Sequence, residues 1–181
     1  LRVVPDNGCI FANGDDENCL KVIEASPSPV KTVGLGEACD IRIGNIEYSA
    51  AGACFSLDGD RFTVPMDGEF NVRNAAMAIC AARFSGLSDD EIRSGLESFE
   101  GIARRQEVRG EVRGIKVIDD FGHHPTAILQ AAEALKRRYT DGRLWAVFEP
   151  RSNTTRRAIF QQDLVEALAA ADGAIVASVP L

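Results

Sequence analysis

The segment Asp119–Pro125 (DDFGHHP) carries the densest set of groups able to do chemistry, two adjacent carboxylates beside two imidazoles. Such groups can hold a divalent cation, orient a phosphate or transfer protons. In the opposing interpretation Asp119 and Asp120 make turn contacts, His123 fills a local gap and His124 is solvated. Two adjacent histidines lack a strong metal-ligand spacing, so the residues alone leave both interpretations open.

A second polar segment, Glu149–Arg157, follows the next apolar run along the chain. Arg151 could bind a phosphate or a carboxylate through two parallel hydrogen bonds, with Ser152 and Asn153 beside it. The small polar residues could instead cap the following helix. We favour anion binding for Arg151 and helix capping for Thr154.

Two residue pairs add further candidates. Asn71 and Asn74 are three residues apart and so share a helix face, where amides can read a nucleobase edge or cap the helix. Arg104 and Arg105 could contact a polyphosphate or form an exposed pair on an acidic chain. From the residues alone, helix capping and an exposed pair are the simpler interpretations.

The elements that position these residues follow from the hydrophobic pattern. In the first half, short apolar runs alternate with turn residues and predict a sheet with few helices. The predicted strands are Cys9–Ala12, Val30–Val33, Ile41–Tyr48, Ala53–Leu57 and Arg61–Val64, with one short helix that Asp15–Asn18 opens. Helical spacing then runs from Val72 to Ala82, and a capping box at Ser88–Glu91 begins a helix that Gly101 stops.

The second half predicts another arrangement. Residues 106–112 and 115–118 flank a hairpin turn, after which helices and strands alternate. The helices begin at Pro125 and cover Ala158–Ala170, and the strands are Leu144–Phe148, which contains Trp145 as a core residue, and Ala174–Val179. This order predicts an α/β fold with a mostly parallel sheet, in which the two polar segments lie side by side at the carboxyl edge. We place the domain boundary between residues 103 and 104.

Composition narrows the function classes. The 181 residues are 45% hydrophobic and 26% charged, typical of a globular protein. A net charge of −7 disfavours nucleic acid and membrane surfaces as partners. No apolar run could span a bilayer, no leader begins the chain, and five cysteines without a CxxC pattern indicate reduced thiols, so we expect a cytoplasmic protein.

Several features predict that the chain is a piece of a longer polypeptide. It begins without Met and stops directly after the apolar run Ala174–Ala177. It contains no GxxxxGK[ST] phosphate loop, no GxGxxG and no GxSxG. We therefore do not expect this chain alone to use ATP.

Three segments together resemble the Mur ligases, the ATP-dependent amide-forming enzymes of peptidoglycan synthesis. Phe70–Ala76 is similar to their His-Asn-x-x-Asn-Ala segment, with Phe70 in place of His. Gly101–Glu107 resembles Gly-x-x-x-Arg-Arg-x-Glu, and Asp119–Thr126 resembles Asp-Asp-Tyr/Phe-x-His-His-Pro-Thr. The resemblance implies that residues 1–103 are the tail of the central ATPase domain. Residues 104–181 would be the start of a Rossmann-like C-terminal domain.

The resemblance also implies an activity and its site residues. A carboxyl group of UDP-N-acetylmuramate would be activated by ATP, with Mg²⁺, as an acyl phosphate and then attacked by an amine. Residues 104–110 and 148–154 resemble the recycling branch of the family, whose amine is the murein tripeptide L-Ala-γ-D-Glu-meso-diaminopimelate, and the runner-up branch adds L-alanine. The implied roles are adenine contact for Asn71 and Asn74, phosphate contact for Arg105, nucleotide contact for Asp120, the shaping of that edge for His123 and His124, and substrate contact for Arg151, Ser152 and Asn153.

Three other interpretations stay open. The first is an amide ligase of another pathway, such as a folylpolyglutamate synthase, which the His-His-Pro cluster disfavours. The second is a non-enzymatic nucleotide-binding or interaction module, whose gene would begin near Leu1, whereas a ligase gene would encode GxxxxGK[ST] upstream. The third is a metal hydrolase built on His123 and His124, for which Glu149 is the obvious additional ligand.

Overall fold

The computed structural model describes residues 4–5, 7–49, 51–150 and 160–178. The chain divides into two compact units, unit 1 (Leu1–Phe99) and unit 2 (Glu100–Leu181). The domain boundary predicted between residues 103 and 104 lies close to this division and stays a prediction.

Unit 1 is built on a five-stranded mixed sheet with the strand order β1-β2-β3-β4-β5. The first three strands run parallel, and β3, β4 and β5 pair antiparallel. Each predicted strand of this half is present. The strands are β1 (Ile10–Asn13), β2 (Val30–Gly34), β3 (Ile41–Ser49), β4 (Gly52–Leu57) and β5 (Asp60–Val64).

The turn between β4 and β5 explains their register. Asp58 and Gly59 both have positive φ, 51° and 93°. Two left-handed residues in a two-residue loop match the twist of the flanking strands, so the Asp-Gly pair closes a tight hairpin. Leu57 pairs with Asp60 directly across it.

The described part of unit 1 also contains three helices, which are α1 (Glu17–Ile23), α2 (Glu69–Phe84) and α3 (Asp89–Glu97). The buried face of α2 packs on the sheet, where it meets Phe55, Leu57 and Phe62, each at most 1% exposed. The predicted capping box of α3 is present at Ser88 and Glu91. The predicted stop at Gly101 is wrong, because α3 ends at Glu97 and Ser98 caps it.

The described residues of unit 2 form two separate strand pairs and two helices. The strands are β6 (Glu107–Val112), β7 (Ile115–Asp119), β8 (Trp145–Phe148) and β9 (Gly173–Val176), and the helices are α4 (Pro125–Arg138) and α5 (Gln161–Leu168). Strands β6 and β7 form the predicted hairpin, closed by Arg113 and Gly114 with φ of 52° and 76°. Strands β8 and β9 pair in parallel.

The α/β class is confirmed, but the predicted continuous sheet in unit 2 is wrong for the described residues. Strand β7 pairs only with β6, antiparallel, and does not join β8. A two-residue turn brings β6 and β7 together locally, whereas pairing between β7 and β8 requires a long-range contact. Strands β7 and β8 therefore do not share a sheet edge in the described residues, and from Arg151 onward the second polar segment lies outside them.

Helices α4 and α5 pack against each other through small and aliphatic side chains. Ala131, Ala134 and Leu135 of α4 are buried, as are Ala167 and Leu168 of α5. Alanines allow the two helices to approach closely. The buried face of α4 thereby fixes the orientation of its N-terminus, where the first polar segment ends.

Trp145 is 55% exposed, so its prediction as a core residue is wrong. The indole packs on Gly173 of the neighbouring strand, where a Cβ would lie 2.9 Å from the ring. Val147, on the same face of β8, is also exposed. The described part of unit 2 has no layer over this face.

None of the described helices is both long and apolar enough to cross a bilayer.

Candidate functional site

The Asp120 carboxylate organises the first polar segment. Its Oδ1 accepts a hydrogen bond from the backbone N–H of Gly122 at 2.7 Å. Its Oδ2 accepts one from the backbone N–H of Gln106 at 3.0 Å. Both oxygens therefore accept hydrogen bonds from backbone N–H groups. The carboxylate connects the residue before β6 to the segment after β7.

The two adjacent arginines at the start of unit 2 have different surroundings. Arg104 is fixed: its Nε lies 3.4 Å from Asp119 Oδ2, and its guanidinium lies over the Phe121 ring at 5.0 Å. Its backbone carbonyl accepts a hydrogen bond from the N–H of Phe121. Arg105 is exposed and forms no ion pair with the described carboxylates. Arg105 is thus the guanidinium of this pair that is available to an anion.

The backbone of this segment is unusual. Arg104 and Gln106 both have positive φ, 60° and 51°. The Glu107 carboxylate accepts a hydrogen bond from the Arg104 N–H and pairs with Arg109, and these donors lower the pKa of Glu107. Gln106 is buried, and its Nε2 has no hydrogen-bond partner among the described residues. Local hydrogen bonds hold a strained conformation here, which the sequence analysis did not predict.

The two histidines lie at the N-terminus of α4. His124 is the N-cap residue of α4, and its Nδ1 accepts a hydrogen bond from the Thr126 N–H at 3.4 Å. Its ring packs edge-on against Phe160. His123 contacts Phe121 through both its ring and its Nδ1. Both imidazoles are exposed and make local contacts, so His123 does not fill a buried gap.

The two asparagines of α2 have opposite surroundings. Asn71 is buried, and its Nδ2 donates to the Asp67 carbonyl at 2.6 Å. Asn74 is exposed to solvent. The first helps to hold the N-terminus of α2, which has no side-chain cap at Gly68. The amide of Asn74 is the one presented at the surface.

A carboxylate that the sequence analysis assigned to the opening of α1 lies instead at the junction of three elements. Asp16, not Asp15, caps α1. Asp15 accepts hydrogen bonds from the backbone N–H groups of Leu35, at 2.7 Å, and Gly36, at 2.8 Å, and pairs with the guanidinium of Arg73. We call the ion pair between Asp15 and Arg73 the Asp15 clip.

The electrostatics of the clip favour its charged form. Burial opposes ionisation of Asp15, but the donors from Arg73, Leu35 and Gly36 outweigh it and lower its pKa to about 2. The Arg73 Nε also pairs with Glu69 at 2.9 Å. A Cβ at Gly34 would lie 2.5 Å from the Asp15 carboxylate, so glycine makes room for the clip. The glycine at the end of β2 is the sequence feature that could have indicated this close approach.

No candidate metal centre is present among the described residues. The described residues contain no group of three His, Cys, Asp or Glu side chains placed to hold an ion. The described cysteines are free thiols, and Cys80 is the buried one. Arg151, Ser152, Asn153 and the predicted cap Thr154 lie outside the described residues.

Comparisons with known proteins agree with the two units. Residues 1–82 match the Mur ligase middle domain, and residues 104–180 match the glutamate ligase domain of Mur ligases. A UDP-N-acetylmuramate–L-alanine ligase from a Jannaschia species is 39% identical over 157 residues, which cover 83% of this chain and 33% of that protein.

Solved structures give a similar result. A murein peptide ligase from Psychrobacter arcticus is 31% identical, with a TM-score of 0.69, covering 97% of this chain and 38% of that one. A folylpolyglutamate synthase from Mycobacterium tuberculosis shares the fold at 17% identity, with a TM-score of 0.67, covering 88% of this chain and 36% of that one. The chain spans about a third of the length of such relatives.

Proposed function

This chain belongs to the Mur ligase family, and we propose that it is part of a cytoplasmic ATP-dependent ligase that joins UDP-N-acetylmuramate to the murein tripeptide L-Ala-γ-D-Glu-meso-diaminopimelate. The observation that carries the proposal is the family's motif at the entry to unit 2 together with an exposed Arg105 that forms no ion pair with the described residues. The recycling branch is supported by residues 104–110 and 148–154, and by the similarity to the murein peptide ligase.

The proposed reaction has two steps. A carboxylate oxygen of UDP-N-acetylmuramate attacks the γ-phosphorus of ATP, the bond from that phosphorus to the bridging oxygen breaks, and ADP leaves. The amine of the tripeptide then attacks the acyl carbon, phosphate leaves with the original carboxylate oxygen, and the amine loses a proton. Stabilisation of the transferring phosphoryl group by cationic side chains is the main catalytic contribution expected of the protein.

The proposed roles of Asn71, Asn74, Arg105 and Asp120 correspond to described environments. Asn74 is exposed and free to contact adenine, and Asn71 would support it from the same helix turn. Arg105 would contact the phosphates. Asp120 would act at the nucleotide side by holding the loop that carries Arg105, because its two oxygens hold backbone N–H groups.

The other assignments have less support from contacts. His123 and His124 are proposed to shape the N-terminal edge of α4, and Arg151, Ser152 and Asn153 to contact the peptide or the acyl phosphate. The described residues contain no group of three His, Cys, Asp or Glu side chains placed to hold an ion, and we assign the cation that accompanies ATP no step here.

A second candidate acceptor is L-alanine, since the 39% identical relative is named for that amino acid.

The test uses the protein encoded by the longest open reading frame that contains this chain. The purified protein is supplied with UDP-N-acetylmuramate, ATP and Mg²⁺. ADP release that requires the tripeptide supports the proposal, and release that requires L-alanine supports the second candidate. The absence of ADP with either acceptor, from a folded protein, contradicts both.

The gene itself separates the ligase from a non-enzymatic module. We expect that open reading frame to encode a GxxxxGK[ST] loop upstream of Leu1. A reading frame that starts near Leu1 without such a loop would support a binding or interaction module instead.

A further inference from the structure

The N-terminus of α2 is held by unusual means. Its N-cap residue is Gly68, which offers no side-chain acceptor to the first helical N–H groups. The contacts that secure this end are the Asn71 amide on the Asp67 carbonyl and the pairing of Arg73 with Asp15 and Glu69. The position of this helix end therefore depends on side chains inside its first two turns.

The Asp15 clip connects this helix end to the sheet. Asp15 follows β1, and its carboxylate also accepts the backbone N–H groups of Leu35 and Gly36, just after β2. One carboxylate thus joins the ends of two neighbouring parallel strands to α2. Its side chain is 23% exposed and that of Arg73 is 26% exposed, so solvent weakens this pair less than it weakens a surface ion pair.

Arg73 lies between the two asparagines on α2. Asn71 precedes it by two residues and Asn74 follows it directly. Rotation or translation of this turn, which the clip opposes, would move the exposed amide of Asn74 relative to the sheet. A displacement of about 1 Å is enough to weaken a hydrogen bond to a ligand substantially.

We infer that Asp15 and Arg73 are a positioning pair for nucleotide binding, and that they act by fixing the turn of α2 that carries Asn71 and Asn74. The inference rests on the proposed function, because it assumes that Asn74 contacts adenine and that Asn71 supports it from the same helix turn. Neither Asp15 nor Arg73 needs to touch the nucleotide. Their effect is on ATP affinity rather than on the chemical step.

The other end of α2 provides a matched control. Arg83 pairs with Asp89 at 2.7 Å, and both side chains are 27% exposed, close to the values of the clip. Arg83 is also the last basic residue of the same helix. Loss of this pair should lower stability to a similar extent, but it lies at the opposite end of α2 from the asparagines.

The experiment uses the full-length protein encoded by the longer open reading frame. Asp15→Asn, Arg73→Gln and their combination are compared with Arg83→Gln, Asp89→Asn and their combination. For each variant the melting temperature, the KM for ATP and kcat at saturating ATP are measured. We expect both sets to lower the melting temperature, whereas only the first raises the KM for ATP, by about fivefold or more, with kcat changed less.

Two further results complete the test. The double variant Asp15→Asn/Arg73→Gln should raise the KM for ATP no more than the stronger single variant, because both remove one interaction, and Arg73→Lys should restore part of the affinity. An unchanged KM in the Asp15 and Arg73 variants, or an equal rise in the Arg83 and Asp89 variants, overturns the inference.

Asn74→Ala distinguishes this failure from failure of the proposed function. If Asn74→Ala raises the KM for ATP while the clip variants do not, the nucleotide contact stands and the positioning role is wrong. If Asn74→Ala leaves the KM unchanged, the proposed adenine contact is wrong, and the positioning inference fails with it.

Discussion

Asp120 Oδ2 accepts a hydrogen bond from the backbone N–H of Gln106 at 3.0 Å, although 14 residues separate the two in the sequence. The same carboxylate holds the N–H of Gly122 through its other oxygen. The loop that carries Arg105 is thereby tied to the end of β7. A residue whose motif implies nucleotide contact has a structural role in this fold.

The first prediction compares Asp120 with its neighbour Asp119. Asp120→Ala leaves the N–H groups of Gln106 and Gly122 without their acceptor, and we expect it to lower the free energy of unfolding by about 1–3 kcal/mol. Asp119→Ala removes a partly exposed ion pair with Arg104 and should cost less than about 1 kcal/mol. Urea unfolding measures both, with amide hydrogen exchange at Gln106 and Gly122 as a local readout. Equal losses in the two variants would contradict the role of Asp120.

The second prediction concerns the buried amide of Gln106, whose Nε2 has no partner among the described residues. Gln106→Met keeps a similar volume and removes the unsatisfied donor, so we expect it to raise the free energy of unfolding by about 1 kcal/mol. Gln130→Met, at an exposed position on α4, is the control and should change stability by less than about 0.5 kcal/mol. A destabilised Gln106→Met protein would show that the amide makes a favourable interaction.

The third prediction is a pH dependence carried by Asp15. Its pKa is lowered from 3.8 to about 2, so its ionisation contributes stability that is fully present above about pH 4 and is lost as the pH falls towards 2. The contribution is up to about 2 kcal/mol. The stability difference between the wild type and Asp15→Asn should therefore shrink on acidification. A difference that is the same at about pH 6 and about pH 3, measured by urea unfolding, would be evidence against this ionisation.

The fourth prediction tests the capping box of α3. Ser88 Oγ accepts the Glu91 N–H, and the Ser88 N–H donates to the Glu91 carboxylate at 2.8 Å. Ser88→Ala should cost about 1 kcal/mol of folding stability. Ser98→Ala, at the other end of the same helix, removes only a contact to the Gly95 carbonyl and should cost less. Thermal unfolding of both variants measures these losses of stability. A larger loss for Ser98→Ala than for Ser88→Ala would contradict the prediction.

Features set by neighbouring residues were predictable from the sequence. The capping box at Ser88 and the hairpin turns at Asp58-Gly59 and Arg113-Gly114 depend on backbone preferences within a few residues, and all three are present. The positions of the strands in unit 1 follow from hydrophobic spacing, and the start of α4 follows from the preference for proline in the first turn of a helix.

Features set by distant residues were not predictable. The sequence around Asp15 is typical of an acidic residue that opens a helix, but its partner Arg73 lies 58 residues away. Trp145 has the pattern of a core residue, but its exposure depends on which strands and layers surround β8. The separate pairing of β7 and β8 is a long-range property for the same reason.

The proposed ligase reaction passes through an acyl phosphate. The most direct test supplies the full-length protein with UDP-N-acetylmuramate labelled with ¹⁸O in its carboxyl group, together with ATP, Mg²⁺ and the tripeptide, and analyses the inorganic phosphate released. If the acyl phosphate forms, one labelled oxygen is transferred to each phosphate released. Amide formation or ADP release that leaves the phosphate unlabelled would contradict the proposed reaction.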